Sequence, residues 1–233
     1  VWIHFADYSY GQSVRDTWMA AMEAVDTNAN VIEVTKTPVG TTDFASYISQ
    51  ISSSDADWIL QAFSGADAVN FLKQATQFGL KEEKAIVSPV NSFRPIRRGA
   101  GSAAVGTYGP FRYVPDFDTD ANRQMNDAFT AEYEEPPDDF AHVMWGSMRL
   151  FAKGANEAGS LETDALRSAL EGLQSSEPMG DTELRTCDHQ ALRPYPVGEI
   201  VSPQKYDWPE LNVEEVRPAE DVILPCDETG CTF

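Results

Sequence analysis

The stretch Val1-Trp-Ile-His-Phe-Ala-Asp-Tyr-Ser-Tyr-Gly11 decides the fold of this chain. Its first five residues are apolar except for His4, which is typical of a buried strand. A polar, aromatic turn follows, and a helix is predicted to start at Gln12. Because open α/β sheets bind ligands at the carboxyl ends of their strands, this turn is a candidate binding site.

Residues 1–90 continue as an alternation of short apolar runs and amphipathic helical stretches. Further strands are predicted at Val31–Thr35, Trp58–Phe63 and Ala85–Pro89. The residues between them carry apolar side chains at helical spacing. Strict alternation with short connections predicts an α/β, doubly wound fold whose parallel strands are joined by right-handed crossovers.

The second part of the chain is predicted to be mainly helical before it changes to short strands. A strand is expected around Ala104–Tyr108, and helices at Asp120–Tyr133, Phe140–Ala158 and Thr163–Gly172. The helix Phe140–Ala158 is apolar on several sides, which predicts deep packing. Because no low-complexity linker is present, two lobes would be joined by strands and not by a tether.

The composition is strongly acidic: 37 Asp and Glu against 17 Lys and Arg give a net charge of −20 over 233 residues. This balance argues against nucleic-acid partners and against anionic membrane surfaces. A solvated acidic surface explains it, and so does adaptation to high salt, which the low lysine content favours. The sequence has no apolar run long enough for a membrane span.

No catalytic motif is recognisable, so the sequence predicts a protein that is not an enzyme and has no cofactor. Phe63-Ser-Gly65 lacks the Gly-x-Ser-x-Gly nucleophile elbow, and His4 and His142 are predicted to be core or cleft residues. Cys187, His189, Cys226 and Cys231 contain ligand types that zinc accepts, but their spacing is not that of a zinc ribbon or finger. No metal site is therefore predicted.

Five segments together resemble the Leu/Ile/Val-binding family of ABC-transporter substrate-binding proteins, in the branch with amide- and urea-binding members. The acidic surface is similar to that of members from halophilic archaea. The segments are Asp7-Tyr-Ser-Tyr-Gly11, Pro38-Val-Gly-Thr-Thr-Asp-Phe44, Gln74-Ala-Thr-Gln-Phe-Gly-Leu80, Tyr133-Glu-Glu-Pro-Pro137 and Cys187-Asp-His-Gln190.

The resemblance implies a type I periplasmic-binding-protein fold, in which crossing strands join two doubly wound lobes. Residues 1–105 would form the core of the second lobe, residues 106–193 would belong to the first lobe, and residues 194–233 would return to the second. We expect an N-terminally truncated member whose first lobe is incomplete. Such a first lobe should expose apolar surface on residues 106–193.

The function implied is that of an extracytoplasmic solute-binding receptor of an ABC importer, which closes by a hinge around a small ligand. The ligand would be a branched-chain amino acid, an amide or urea, and the partner an ABC permease in the membrane. We expect a monomer, anchored to the membrane through a missing N-terminal part. The alternative is a ligand-sensing domain of a regulator or receptor with the same fold.

The resemblance also implies binding residues. Tyr10, and less directly Tyr8, match a ligand-lining aromatic position, although a turn aromatic can also simply pack on its own helix. Phe63, Ser64 and Gly65 form a loop whose backbone N–H groups could meet a ligand carboxylate, and a plain turn is the alternative. Asn91 follows the fourth strand, where a neutral side chain suits an amide ligand.

The resemblance to exported proteins further implies a disulfide bond. Cys187 would pair with either Cys226 or Cys231, and the bond would hold the C-terminal tail to the body of the protein.

Overall fold

The structure is a computed structural model that describes residues 1–25 and 28–231. Its strands are β1 (Trp2–Ala6), β2 (Glu33–Thr37), β3 (Trp58–Ala62), β4 (Ala85–Val87), β5 (Thr107–Pro110), β6 (Gln174–Glu177), β7 (Gly180–Leu184), β8 (Ala191–Leu192), β9 (Tyr195–Val201) and β10 (Glu210–Arg217). Its α-helices are α1 (Ser9–Ala24), α2 (Ala45–Ser52), α3 (Gly65–Gln77), α4 (Leu80–Glu83), α5 (Arg94–Ala100), α6 (Asp120–Tyr133), α7 (Asp139–Ala158) and α8 (Thr163–Leu170).

A seven-stranded sheet has the strand order β10-β9-β5-β4-β3-β1-β2. Strands β1 to β5 pair in parallel, and β9 pairs antiparallel to β5. The α/β class with a parallel central sheet is therefore confirmed. Because β1 lies between β2 and β3, the strand order reverses at the boundary between β1 and β3.

Helices cover both faces of this sheet, as a parallel sheet requires. On one face, Ile3 and Phe5 of β1 pack with Val14, Trp18 and Met22 of α1. The core on the other face is formed by the alternate β1 residues Trp2 and Ala6 together with buried apolar side chains of α2, α3 and α5. The doubly wound arrangement predicted from residues 1–90 is thus observed.

The chain separates into two compact units. Unit 1 comprises Val1–Phe111 and Val197–Glu214, and unit 2 comprises Arg112–Pro196 and Glu215–Phe233. Unit 2 contains a three-stranded antiparallel sheet in the order β6-β7-β8. The grouping differs from the expected division at the C-terminus, because the residues after Glu214 belong with unit 2 and not with residues 1–105.

A disulfide bond between Cys187 and Cys226, 39 residues apart in sequence, provides the physical reason for this difference. It ties the C-terminal residues to the body of unit 2. Arg185 adds to this attachment by donating a hydrogen bond to the Leu224 carbonyl oxygen (2.9 Å). The predicted disulfide is confirmed with Cys226 as the partner, and Cys231 is a free, exposed thiol.

Helix α7 departs from its predicted deep packing. Only Asp139, His142 and Gly154 of this helix are buried. The absence of a side chain at Gly154 allows Leu170 of α8 to approach closely. The exposed large apolar side chains of α7 are Phe140, Val143, Met144, Met148 and Phe151. The expected exposed apolar surface on residues 106–193 is therefore present. None of the described helices, α7 included, is long and apolar enough to cross a membrane.

Gly11 lies in the first turn of α1, where a side chain has no room. A Cβ atom at this position would stand 2.1 Å from the carbonyl oxygen of Ala6. We expect Gly11→Ala to lower the free energy of unfolding by about 1–3 kcal/mol, because the helix must move away from the end of β1. Chemical denaturation monitored by circular dichroism measures this change.

The matched control is Gly146→Ala in α7, where the nearest atom to a new Cβ is Glu177 Oε2 at 3.6 Å. This variant should be neutral or more stable, since Ala is the better helix former. Equal effects of the two substitutions would contradict the close approach at Gly11.

The disulfide predicts that the unfolded, non-reduced protein contains one reactive thiol per chain, that of Cys231. Cys187→Ser should cost about 2–4 kcal/mol of stability and make the C-terminal tail more sensitive to proteolysis. Cys231→Ser should leave stability unchanged and remove the reactive thiol. A thiol count of three in the non-reduced protein would contradict the bond.

Candidate ligand-binding site

The turn after β1 is shorter than its sequence predicts. Helix α1 begins at Ser9 and not at Gln12, because Tyr8 takes an extended conformation (φ −152°, ψ 177°) and acts as the N-cap residue. No side chain caps this helix N-terminus. Tyr10 therefore lies in the first helical turn and not in the loop before it.

The turn after β3 has the same construction. Ser64 is the extended N-cap residue of α3, and its side chain makes no capping hydrogen bond. Gly65 follows with a positive φ of 55°, a conformation that glycine adopts at little cost. The hydroxyl of Ser64 instead lies 3.1 Å from that of Tyr8, so a side-chain hydrogen bond joins the turns after β1 and β3.

Tyr8 and Tyr10 form an aromatic pair beside this hydrogen bond. Their ring centroids are 5.8 Å apart at an interplanar angle of 42°. Both rings are half-buried and pack against the core of unit 1. The two tyrosines therefore form an aromatic surface that remains partly accessible at the edge of the sheet.

Phe63 has a different environment from the rest of its loop. Its side chain is fully buried and packs edge-on against His4 (5.0 Å between ring centroids) and Phe44 (5.2 Å). Ser64 and Gly65 are exposed. A ligand at this loop could thus reach the backbone of Phe63 but not its ring, because the ring is packed in the core.

Asn91 is completely buried after the end of β4. Neither its amide nitrogen nor its amide oxygen has a hydrogen-bond partner among the described residues. The buried Thr37 hydroxyl, at the carboxyl end of β2, also has no hydrogen-bond partner among the described residues. A buried polar group without a partner costs about 1–3 kcal/mol, so these neutral groups have unused hydrogen-bonding capacity at the same sheet edge.

The sequence analysis missed an ion pair next to Tyr8. Asp7 lies 2.9 Å from Lys36 Nζ and accepts a hydrogen bond from Gln12 Nε2 (3.1 Å). These two hydrogen bonds, that from Lys36 first, lower the pKa of Asp7. In the register of β1 and β2, Lys36 lies opposite Phe5, and Asp7 follows two residues later on the same face of the sheet. A sequence shows this proximity only when the strand pairing is known.

The two core histidines are buried, as predicted. Burial lowers the pKa of His4 to about 4, although the nearby hydrogen bond with Thr35 acts in the opposite direction. Burial also lowers the pKa of His142 to about 4, and the charges of Arg193 and Arg112 add to the effect. Both side chains are therefore neutral at physiological pH.

The described residues contain no group of three or more His, Cys, Asp or Glu side chains placed to hold a metal ion. Of the four side chains of the types that zinc accepts, Cys187 and Cys226 are joined in the disulfide. The Nε2 atom of His189 lies 3.3 Å from Glu171 Oε1.

A cavity of about 660 Å³ lies within unit 2, between α7, the sheet β6-β7-β8 and the C-terminal segment. Lys153, Ser175 and Arg193 are among its lining residues, and none of the predicted ligand-binding residues lines it. The volume of a cavity does not by itself identify a ligand site. We favour the sheet edge of unit 1 as the candidate site, because the turns after adjacent parallel strands converge there.

Comparison with known proteins agrees with the fold. A family model described as periplasmic binding protein matches residues 2–205. A curated relative, the Leu/Ile/Val-binding protein homolog 4 of Brucella abortus (strain 2308), is 27% identical over 205 residues, which are 83% of this chain and 47% of the relative. The chain thus spans about half the length of this relative.

Solved structures share the same fold. An amino acid ABC transporter substrate-binding protein from Pseudomonas fluorescens Pf-5 matches with a TM-score of 0.88 at 20% identity, over 100% of this chain and 62% of that protein. A solute-binding protein from R. palustris in complex with benzoate matches with a TM-score of 0.77 at 21% identity, over 91% of this chain and 57% of that protein. Since the family model matches most of its length, this chain belongs to the periplasmic binding protein family.

Proposed function

We propose that this chain is part of the solute-binding receptor of an ABC importer, and that the carboxyl edge of the parallel sheet in unit 1 forms one wall of its ligand site. The receptor works outside the cytoplasm and delivers its ligand to a membrane permease. It performs no catalysis. The ligand is a small polar organic molecule of the amino-acid, organic-acid or amide type.

The hydrogen bond between Tyr8 and Ser64 is the observation that carries this proposal. Tyr8 follows β1 and Ser64 follows β3, the two strands between which the strand order reverses. In open α/β sheets this switch point opens a crevice, because the connections on its two sides run to opposite faces. A ligand at this crevice meets both turns at once.

The groups at this edge suit a carboxylate or an amide oxygen. Helix α1 begins here without a side-chain cap and without an acidic residue in its first turn, so its first N–H groups and its dipole favour an anionic or strongly accepting atom. Helix α3 also begins here without a capping hydrogen bond from Ser64, but its first turn already holds the Asp67 carboxylate. Tyr8 and Tyr10 add apolar ring surface together with hydroxyl groups. The ligands named for the relatives, branched-chain amino acids and benzoate, carry a carboxylate in common.

The chain passes between units 1 and 2 three times, after Phe111, after Pro196 and after Glu214. Three connections of this kind suit a hinge, and we propose that binding proceeds by closure of two lobes. The exposed apolar face of α7 and the greater length of the relatives both fit a first lobe whose sheet lies outside this chain.

A thermal-shift screen of the full-length protein in high salt, against amino acids, aromatic acids and small amides, tests the proposed function. A true ligand at about 100 times its Kd should stabilise the protein by about 2.7 kcal/mol and raise the melting temperature accordingly. High salt is used because of the net charge of −20. No stabilisation by any of these compounds would contradict the proposal.

Tyr10→Ala tests the assigned wall. Loss of the ring should weaken the binding of a ligand found in the screen about fivefold, since an aromatic contact contributes about 1 kcal/mol. Isothermal titration calorimetry measures the change in Kd. The control is Tyr133→Ala, which removes an exposed tyrosine from α6 and should leave the Kd unchanged. Unchanged affinity of the folded Tyr10→Ala variant would exclude Tyr10 from the site.

A further inference from the structure

The cavity of about 660 Å³ in unit 2 plays no part in the proposed function. Its walls are formed by α7, by the strands β6, β7 and β8, and by residues 218–220 of the C-terminal segment. All of its lining residues belong to unit 2, so the cavity lies within one compact unit. Its volume is in the range of about 300–1,000 Å³ that is typical of small-molecule sites.

Five charged side chains line this cavity, and they carry both signs. Lys153 and Arg193 are the cations, and the carboxylates are Asp181, Glu183 and Glu220. None of the five forms an ion pair with any residue that the structure describes. Positive and negative groups therefore line the same cavity without neutralising each other.

Arg193 is half-buried, and its partners carry no negative charge. Its Nη1 atom donates a hydrogen bond to the Pro194 carbonyl oxygen (3.1 Å), and its guanidinium group lies 4.8 Å from the centroid of the Tyr195 ring. Burial lowers the pKa of Arg193; Tyr195 acts in the opposite direction, and the charge of Arg112 adds to the lowering. A partly desolvated guanidinium group with no carboxylate partner favours an anionic ligand group, which it can bind through several N–H donors.

The carboxylates provide the complementary charge. Asp181 accepts a hydrogen bond from Ser176 Oγ (2.7 Å), and Glu183 accepts one from Gln174 Nε2 (3.0 Å). Both donors are neutral, so neither hydrogen bond cancels the charge of its carboxylate. Glu220 lies on the opposite wall, in the C-terminal segment. An ammonium group in the cavity would form charge-assisted hydrogen bonds with these oxygens.

The wall formed by residues 218–220 is held in place. These residues belong to the segment that the disulfide between Cys187 and Cys226 ties to the body of unit 2. Within the segment, Arg217 forms an ion pair with Asp221 (3.2 Å). A wall that is fixed before binding spares the ligand the cost of ordering it.

We propose that this cavity is a second ligand site, which binds a short peptide with free termini. The peptide carboxylate pairs with Arg193 and Lys153, and its ammonium group pairs with the carboxylates on the other lining residues. A short peptide carries both charges on one chain, and its backbone amides suit the hydroxyl and amide side chains of Ser175, Ser176 and Gln174 between them. The inference is independent of the site proposed in unit 1.

Tri-L-alanine tests this site, because two matched analogues each lack one of its charges. N-acetyl-tri-L-alanine has no ammonium group, and tri-L-alanine amide has no carboxylate. Isothermal titration calorimetry with the full-length protein measures the three Kd values. We expect the zwitterionic tripeptide to bind about tenfold more tightly than either analogue. An analogue that binds as tightly as the tripeptide, or a tripeptide that does not bind, would overturn the inference.

Two variants test whether the peptide lies in this cavity. Arg193→Gln should weaken the binding of tri-L-alanine about tenfold, because it removes a half-buried charge. Lys153→Gln should weaken it about threefold, and since Lys153 is exposed, this variant should fold even if Arg193→Gln does not. The control is Arg167→Gln in α8, which makes the same change in net charge at a residue that does not line the cavity.

The control should leave the Kd of the tripeptide unchanged. Unchanged affinity in the folded cavity variants would overturn the inference. Loss of tripeptide binding in Tyr10→Ala, with no effect of the cavity variants, would assign the peptide to the unit 1 site and overturn it as well.

Discussion

Strand β1 pairs in parallel with β2 on one side and with β3 on the other, and the rest of unit 1 depends on this pairing. Parallel strands must be joined by crossovers, and the connections on the two sides of β1 run over opposite faces of the sheet. The carboxyl ends of β1 and β3 are thereby left adjacent. Their following turns meet in the hydrogen bond between Tyr8 and Ser64.

Much of unit 1 was predictable because short-range patterns decide it. Apolar runs such as Trp58–Ala62 identified the strands, and the stripe Val14, Trp18 and Met22 identified the buried side of α1. Boundaries were less accurate: β2 starts at Glu33, two residues later than predicted, with Val31 and Ile32 left exposed before it. Apolar character alone does not show where strand pairing begins.

Features that depend on distant partners could not be predicted from the sequence. The apolar residues of α7 give the same pattern whether another layer covers them or solvent does, so the predicted deep packing was wrong. The choice between Cys226 and Cys231 as partner of Cys187 likewise depends on the path of the tail. At the candidate site, the tyrosines and the Ser64 loop were identified beforehand, whereas the pairing of Asp7 with Lys36 required the register of β1 and β2.

Amide hydrogen–deuterium exchange of the full-length protein, with and without a ligand found by screening, tests the central claim most directly. If the ligand binds at the starts of α1 and α3, the amides of residues 9–12 and 65–68 should exchange more slowly in the complex than in the free protein. Unchanged exchange in both segments would contradict the account. Protection of residues around the unit 2 cavity, such as Ser175 and Arg193, would then place the site there instead.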